Sequence, residues 1–262
     1  MTAVLETINL NKNFGALAAT RDLSLSIAPG ARHALIGPNG AGKTTAVNLL
    51  TGVLTPTSGS VLLEGEDITA LSVHARALRG LSRTFQINQL FADLSPLEAI
   101  TLAVSERRGE GDRRAKRPRS SNGFGWWRRL GGRGEDNAEI DDLLSRFHLS
   151  EVMTERTATL PYGKQRLLEI ALAIAARPRV LLLDEPAAGV PEAERKDILA
   201  AVAALPRDVS VLLIEHDMDL VFSFADRISV LVNGALLVEG DPEQVARDPR
   251  VKAVYLGESA DA

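Results

Sequence analysis

The glycine-rich stretch Gly37-Pro-Asn-Gly-Ala-Gly-Lys-Thr44 restricts what this chain can fold into more than any other segment. It fits G-x-x-x-x-G-K-[ST] through Gly37, Gly42, Lys43 and Thr44, and its flanks agree with it. Ala34-Leu35-Ile36 reads as the end of a buried strand, and Lys43 to Leu50 carries apolar residues at helical spacing. In the order strand, glycine loop, helix, successive backbone N–H groups curl toward one point, and the helix adds the positive end of its dipole there. A polyphosphate is the natural occupant. Lys43 would neutralise its β- and γ-phosphates, and the Thr44 hydroxyl would ligate Mg²⁺.

Phosphoryl transfer also needs an acid at a strand end. Val180-Leu-Leu-Leu183 reads as a strand covered on both faces, and Asp184-Glu185 follows it. In doubly wound sheets the ligand crevice lies at the carboxyl ends of the strands, which brings Asp184 near Gly37 as a Mg²⁺ group acting through water. Glu185 would polarise an attacking water. A further strand, Val209 to Ile214, ends in Glu215-His216-Asp217 and delivers His216 to the same edge. Gln86, in Ser82-Arg-Thr-Phe-Gln-Ile87, says nothing alone.

Taken in order, Gly37 to Thr45, Gln86, Leu160-Pro-Tyr-Gly163, Asp184-Glu185 and His216 resemble the ATP-binding subunit of an ABC transporter over nearly the whole chain. The resemblance implies an α/β P-loop NTPase with a parallel core sheet, an antiparallel β side sheet and an inserted helical lobe. It implies one domain, 1–262, with its core in 1–86 and 157–262 and the lobe in 87–156. The implied ATP contacts are Phe14, stacking on adenine, then Gly37, Pro38, Asn39, Gly40, Ala41, Gly42, Lys43, Thr44, Thr45 and Gln86. Leu160, Tyr162 and Gly163 add contacts from the signature motif. Thr44, Gln86 and Asp184 would hold Mg²⁺, with Glu185 and His216 catalytic. Two positions depart from the family. Pro161 stands where a serine usually reaches the γ-phosphate, and Pro191 where an aspartate often crosses the dimer interface.

The wording of Leu160 to Arg166, Leu168-Glu-Ile-Ala171, Asp184-Glu-Pro-Ala-Ala-Gly189, Arg83-Thr-Phe-Gln86 and Tyr255-Leu-Gly257 is similar to subunits of branched-chain amino acid importers. It points to the one of their two ATPases with extra residues between the glutamine and the signature. That resemblance implies ATP and Mg²⁺ as cofactors and a second ATP-binding subunit, identical or paralogous, as partner. It also implies membrane permease subunits, a solute-binding protein acting indirectly, and a place on the cytoplasmic face of the plasma membrane. A chain with one phosphate loop and one signature helix holds halves of two sites, which a head-to-tail pair completes. Other readings are another small polar cargo such as urea, an amide or other amino acids, and a soluble ABC ATPase acting on nucleic acid or ribosomes. The soluble class usually carries long coiled-coil insertions or two cassettes, and neither is visible here.

The length of 262 residues suits one domain with an inserted lobe, and the absence of cysteine excludes a disulfide scaffold and thiolate metal sites. No run reaches the apolar length of a membrane helix, and the N-terminus is unlike a signal peptide, so a transport pathway must come from other subunits. The net charge of −4 hides a basic block over 107–134, which contains Trp126 and Trp127. It reads as a solvated insertion or as a contact for anionic lipid, with nucleic acid the weakest of the three because no binding fold accompanies it. Further expectations are a half-buried strand through Leu23, Leu25 and Ile27, and a Ser58-Gly59 turn before Val61 to Leu63. Helices are expected over Pro96 to Ala103, Ile140 to Phe147 and Gln165 to Ala176, and a hairpin about Asn233-Gly234.

Overall fold

The computed structural model describes residues 2–84, 90–109 and 134–256. The chain opens with β1 (Leu5–Phe14), β2 (Leu17–Leu23), β3 (Ser26–Ile27), β4 (Arg32–Ile36), α1 (Lys43–Thr51), β5 (Ser58–Leu63), β6 (Glu66–Asp67), α2 (Val73–Leu78) and β7 (Leu81–Arg83). Then come α3 (Pro96–Gly109), α4 (Gly134–Arg146), α5 (Tyr162–Ala175), β8 (Val180–Asp184), α6 (Glu192–Ala203), β9 (Ser210–Ile214) and α7 (Met218–Phe224). The hairpin β10 (Arg227–Val232) and β11 (Ala235–Gly240) leads to α8 (Pro242–Arg247) and α9 (Pro249–Leu256). These elements fall into two compact units, one of Met1–Thr84, Pro178–Glu185 and Leu205–Ala262, the other of Phe85–Arg177 and Pro186–Ala204.

The first unit holds two sheets. In the six-stranded one, ordered β11-β10-β4-β9-β8-β7, every described pairing is parallel except that of β10 with β11. Every residue of β4, β8 and β9 is buried, as continuous apolar runs covered on both faces require. The second sheet is antiparallel, ordered β2-β1-β5-β6 with β3 also on β1. Around α1, one core joins both sheets: Val47, Leu49 and Leu50 share it with Leu10, Ile27 and Val61 of the antiparallel sheet and Leu182, Leu212 and Ile214 of the parallel one. Truncating a side chain such as Leu49 to alanine there removes on the order of 2–5 kcal/mol.

Buried arginines finish what the strands and helices leave open. Arg76, only 1% exposed, donates to the carbonyls of Leu49 and Leu50 at 2.8 and 2.6 Å and to those of Thr69 and Leu71 at 2.8 and 3.1 Å. The last carbonyls of α1 have no partner within the helix, and a cation there also suits the negative end of its dipole. Arg32 plays a comparable part, donating to the carbonyls of Leu205, Pro206 and Val209. At the Asn233-Gly234 turn both residues have positive φ, 49° and 79°, the conformation a two-residue hairpin turn demands and the one the sequence predicts.

Three expectations need correction within this unit. Leu23, Leu25 and Ile27 do face inward, but they do not lie on one strand. The Thr7 hydroxyl donates to the Leu23 carbonyl and accepts from the Leu25 amide, both at 2.8 Å, while the Thr7 amide donates to the Leu25 carbonyl at 2.9 Å, so a side chain inserts into the ladder there. Ser58-Gly59 is not a turn but the start of β5, in a bulged stretch of its pairing with β1. Gly59 has φ 87°, and a Cβ on it would stand 2.2 Å from the Asn9 carbonyl oxygen. The strand expected from Val209 begins at Ser210, because Val209 closes a turn onto Pro206.

The second unit is helical. Phe147, Leu149, Leu143 and Leu144 are buried, as are Ile100, Leu167, Leu168 and Ile170. The helices expected from Pro96 and through Ile140 are present as α3 and α4, but the one expected from Gln165 starts earlier, at Tyr162. Pro161, with φ fixed at −51°, stands at its N-cap and pre-sets the entry. Arg107, counted by charge in the basic block, belongs to α3: it grips both oxygens of Glu139 at 2.7 and 2.8 Å and donates to the Ala175 carbonyl at 2.6 Å, capping α5. The block's Trp126 and Trp127 lie outside the described residues.

One buried histidine makes stability depend on pH. His33 is 1% exposed, its Nε2 lies 2.8 Å from the Ser229 hydroxyl, and that hydroxyl donates to Glu239 at 2.7 Å. Burial pushes its pKa down to about 4, against the pull of Glu239. Because the folded pKa lies below the unfolded value near 6.5, the contribution is present above pH 6.5 and is lost as pH falls from about 6.5 to about 4, roughly 3 kcal/mol in all. Denaturant unfolding across that window should show wild type losing stability relative to His33→Gln by about this amount.

Candidate nucleotide site

At the carboxyl end of β4 the chain turns through the loop Gly37 to Gly42 into α1. Two neighbours hold the loop where it is. A Cβ on Gly37 would stand 2.2 Å from the Leu231 carbonyl oxygen of β10, and one on Gly42, whose φ is 101°, would stand 2.7 Å from the Ala19 carbonyl oxygen of β2. Only glycine lets backbone approach backbone this closely. The loop is also tied from within and without: Ala41 donates to the Pro38 carbonyl at 3.1 Å, and its own carbonyl accepts from the Gly234 amide at 2.8 Å. On the far side of Gly234, the carbonyl accepts from the Arg21 amide at 2.7 Å, which links the same turn to β2.

Lys43 folds back over the loop. Its Nζ lies 2.6 Å from the Gly37 carbonyl and 3.2 Å from that of Pro38. Burial lowers its pKa, opposed by the carboxylates of Glu185 and Asp184, which identifies those two as its electrostatic surroundings. Thr44 is exposed one residue further on, and Thr45 follows it on α1. A cavity of about 530 Å³ opens over these residues, and it gathers Phe14, Asn39, Gly40, Ala41, Gly42, Lys43, Thr44, Thr45 and Glu185. Phe14 is 48% exposed at the end of β1, with the Lys12 ammonium 5.2 Å from its ring centroid.

The acids arrive on β8. Asp184 is 5% exposed and its Oδ2 accepts from the Arg83 guanidinium at 2.7 Å, while the same guanidinium donates to the Asn48 side chain on α1 at 2.8 Å. Glu185, the next residue, has φ 47°, a left-handed conformation that costs a side chain about 1 kcal/mol or more and that concentrates at functional positions. Its amide donates to the Ile214 carbonyl at 2.9 Å, and its Oε1 lies 3.6 Å from His216 Nδ1. Glu215, 2% exposed, accepts from the amides of His216 and Asp217 at 3.0 and 3.4 Å. Burial pushes its carboxyl up while those amides pull it down.

Of the sequence-predicted residues, Phe14, Gly37 to Thr45, Asp184, Glu185 and His216 all lie in the first unit at the strand ends about α1. Leu160, Tyr162 and Gly163 lie in the second unit, at the start of α5. There Leu160 is buried, Tyr162 is 37% exposed and the Gly163 amide donates to Glu194 Oε2 at 2.8 Å. Gln86 lies outside the described residues.

Sequence reasoning passed over three participants. Asn48 carries no motif, and Arg83 enters only through the wording Arg83-Thr-Phe-Gln86, with no role attached to it. Tyr255 enters the sequence reading for its wording alone, yet α9 brings its phenol, 37% exposed, to the phosphate loop. Burial pushes its pKa up to about 12, against a hydrogen bond with the Gly37 backbone that lowers it.

With this geometry in view, the comparisons with known proteins are decisive. The family model described as ABC transporter matches residues 20–188. This chain belongs to the ABC transporter family. A second model, described as branched-chain amino acid ATP-binding cassette transporter, matches 235–261, the stretch that includes Tyr255. The chain is 38% identical to the high-affinity branched-chain amino acid transport ATP-binding protein BraF of Pseudomonas aeruginosa, over 98% of each chain. It is also 38% identical to the protein of the same description, LivG, of Escherichia coli strain K12, over 99% of this chain and 100% of that one. The crystal structure of a nucleotide-free ATP-binding cassette from an ABC transporter matches with a TM-score of 0.76 and 28% identity, over 98% of this chain and 100% of that one. The expected ABC ATPase fold is therefore borne out, and nucleotide binding belongs to that family.

Among the phosphate-loop residues, Lys43 alone carries a side-chain cation. Lys43→Ala should weaken ATP binding at least about a hundredfold, the scale of two lost charge-assisted contacts. Titration with a fluorescent ATP analogue measures this, with circular dichroism checking that the fold is kept.

Proposed function

We propose that this chain is the ATP-binding and ATP-hydrolysing subunit of a multi-subunit importer of branched-chain amino acids. It works peripherally on the cytoplasmic face of membrane permease subunits, paired with a second ATP-binding subunit, while a solute-binding protein supplies cargo. One observation carries the ATPase reading: the phosphate loop, Phe14 and Glu185 line one cavity, with His216 beside Glu185. Near full-length kinship with BraF and LivG supports the cargo class. No helix among the described residues is long and apolar enough to cross a membrane, so the pathway itself is assigned to other subunits.

In this reading adenine lies toward Phe14 and the phosphates lie over the start of α1, where the loop amides converge. Lys43 leaves the carbonyls of Gly37 and Pro38 for the β- and γ-phosphates. Thr44, Asp184 and Gln86 are the groups proposed for Mg²⁺. The donor set fits that ion. No cluster of three His, Cys, Asp or Glu able to hold a metal occurs among the described residues, and magnesium is usually held by substrate phosphates and water with one or two protein oxygens. When bound, it supplies neutralisation of charge on the β- and γ-oxygens.

Glu185 orients a water in line with the γ-phosphorus and takes its proton. The water oxygen then bonds to phosphorus as the bond to the bridging oxygen breaks, yielding ADP and phosphate. His216 fixes Glu185 and the departing γ-phosphate. The loop of one subunit faces Leu160 to Gly163 of the other, so ATP favours the closed pair by its differential affinity for it, and hydrolysis removes that bias. The helical lobe of a single domain is assigned to 87–156, and among the described residues of that span α3 and α4 support the assignment.

Two experiments test this reading. Glu185→Gln should accumulate as an ATP-bound pair on size-exclusion chromatography, because charge removal abolishes the base and leaves the nucleotide contacts. A protein that stays single at saturating ATP contradicts the model. The permease complex, co-purified and reconstituted with its solute-binding protein, should hydrolyse ATP several-fold faster with leucine, isoleucine or valine present. Stimulation by urea or an amide instead would reassign the cargo.

A further inference from the structure

The start of α5 already has an anion on it. A helix leaves its leading N–H groups unpaired, yet here Pro161 offers no side-chain cap and the first turn of α5 holds no acid. The partner comes from another helix: Glu194 Oε2 accepts from the Gly163 amide at 2.8 Å. The contact is close enough that a Cβ on Gly163 would stand 2.2 Å from that oxygen. Glu194 also lies in the first turn of α6, its own amide donating to the Pro191 carbonyl at 2.9 Å. One half-buried carboxylate therefore serves the positive ends of two helices. Glu192, in the same turn of α6, is exposed.

We propose that Glu194 is a positioning residue that occupies the anion-binding start of the signature helix in the single subunit, and that ATP must displace it when two subunits pair. The inference rests on the pairing described under Proposed function. There, the phosphate loop of one subunit faces Leu160 to Gly163 of the other, which brings the γ-phosphate of its ATP to the start of α5 and the Gly163 amide. That amide has one hydrogen to donate, and a phosphate beside a carboxylate is a repulsive arrangement. With Pro161 in place of a serine, that position offers the phosphate no hydroxyl, so the competition is for the amide. Glu194 thus sets an ATP threshold for closure. It holds α5 and α6 together in the open subunit and releases α5 only when the stronger anion arrives.

The test uses the full chain in a Glu185→Gln background, where hydrolysis does not dissolve the pair. Sedimentation measures the ATP concentration that gives half-maximal pairing. Glu194→Ala should lower it about tenfold, the scale of one charge-assisted hydrogen bond no longer opposed. Glu194→Gln, which keeps the shape and an acceptor but loses the charge, should lower it by a smaller factor. Affinity of the single subunit for a fluorescent ATP analogue, read at protein concentrations below pairing, should not change, because the phosphate loop is untouched. A Glu194→Gln midpoint that is unmoved or raised, while Glu185→Gln pairs normally, overturns the proposal and leaves the ATPase reading standing. Failure of Glu185→Gln alone to pair at saturating ATP overturns the pairing and this proposal together.

Discussion

The backbone of Gly37 and Gly42 lies where any side chain would collide with the carbonyls of Leu231 and Ala19, and the site depends on that closeness. Crowding of this kind fixes the loop between two strands before any ligand is present, so its amides converge without further ordering. The cost falls on the rest of the first unit. Two sheets must hold their carbonyls in place to within a fraction of an ångström, and the continuous core around α1 supplies the stiffness. Arg76 completes the arrangement from the opposite end, since the carbonyls it satisfies belong to the far end of the helix that the loop enters.

Charge is distributed with similar economy. Lys43 and Arg83 are the cations that face Glu185 and Asp184, one from each side of the strand end. Arg83 also reaches Asn48 on α1, so the acid of β8 and the helix of the phosphate loop share a single guanidinium. A planar fork with several donors suits that task, whereas lysine would meet only one partner well. Glu185 is held differently: its backbone lies in the left-handed region, and its amide is tied to Ile214, the last residue of β9, the strand that delivers His216. Glu185 and His216 are thereby set by neighbouring strands of one sheet.

Motifs that the backbone itself must build could be read from the chain. Gly37 to Thr44 requires strand, loop and helix, and Val180 to Asp184 requires a buried strand, so their meeting follows from the rules of parallel sheets. Asn233-Gly234 announces its hairpin for the same reason. What escaped reading was side chain meeting backbone at long range. Thr7 interrupting the strand at Leu23 and Leu25, Arg76 on the carbonyls of α1, Arg107 capping α5 and Glu194 on Gly163 all join residues whose separation in sequence carries no period. Arg107 is the clearest case. Its neighbours in sequence suggest solvent or lipid, and only the fold reveals Glu139 beside it. The early start of α5 has the same origin, because the partner of its leading amide lies on α6.

The turn at Asn233-Gly234 grips the phosphate loop through Ala41 and the antiparallel sheet through Arg21. It therefore acts as a gauge block between that loop and β2, setting how far apart the two backbones stand. Chain length at this hairpin is consequently under a tighter constraint than its position on a surface turn suggests. An added residue would change the turn that sets the register of β10 against β11 and would move Gly234 off both Ala41 and Arg21. A late segment of the chain thereby fixes the place of both an early strand and the loop after β4.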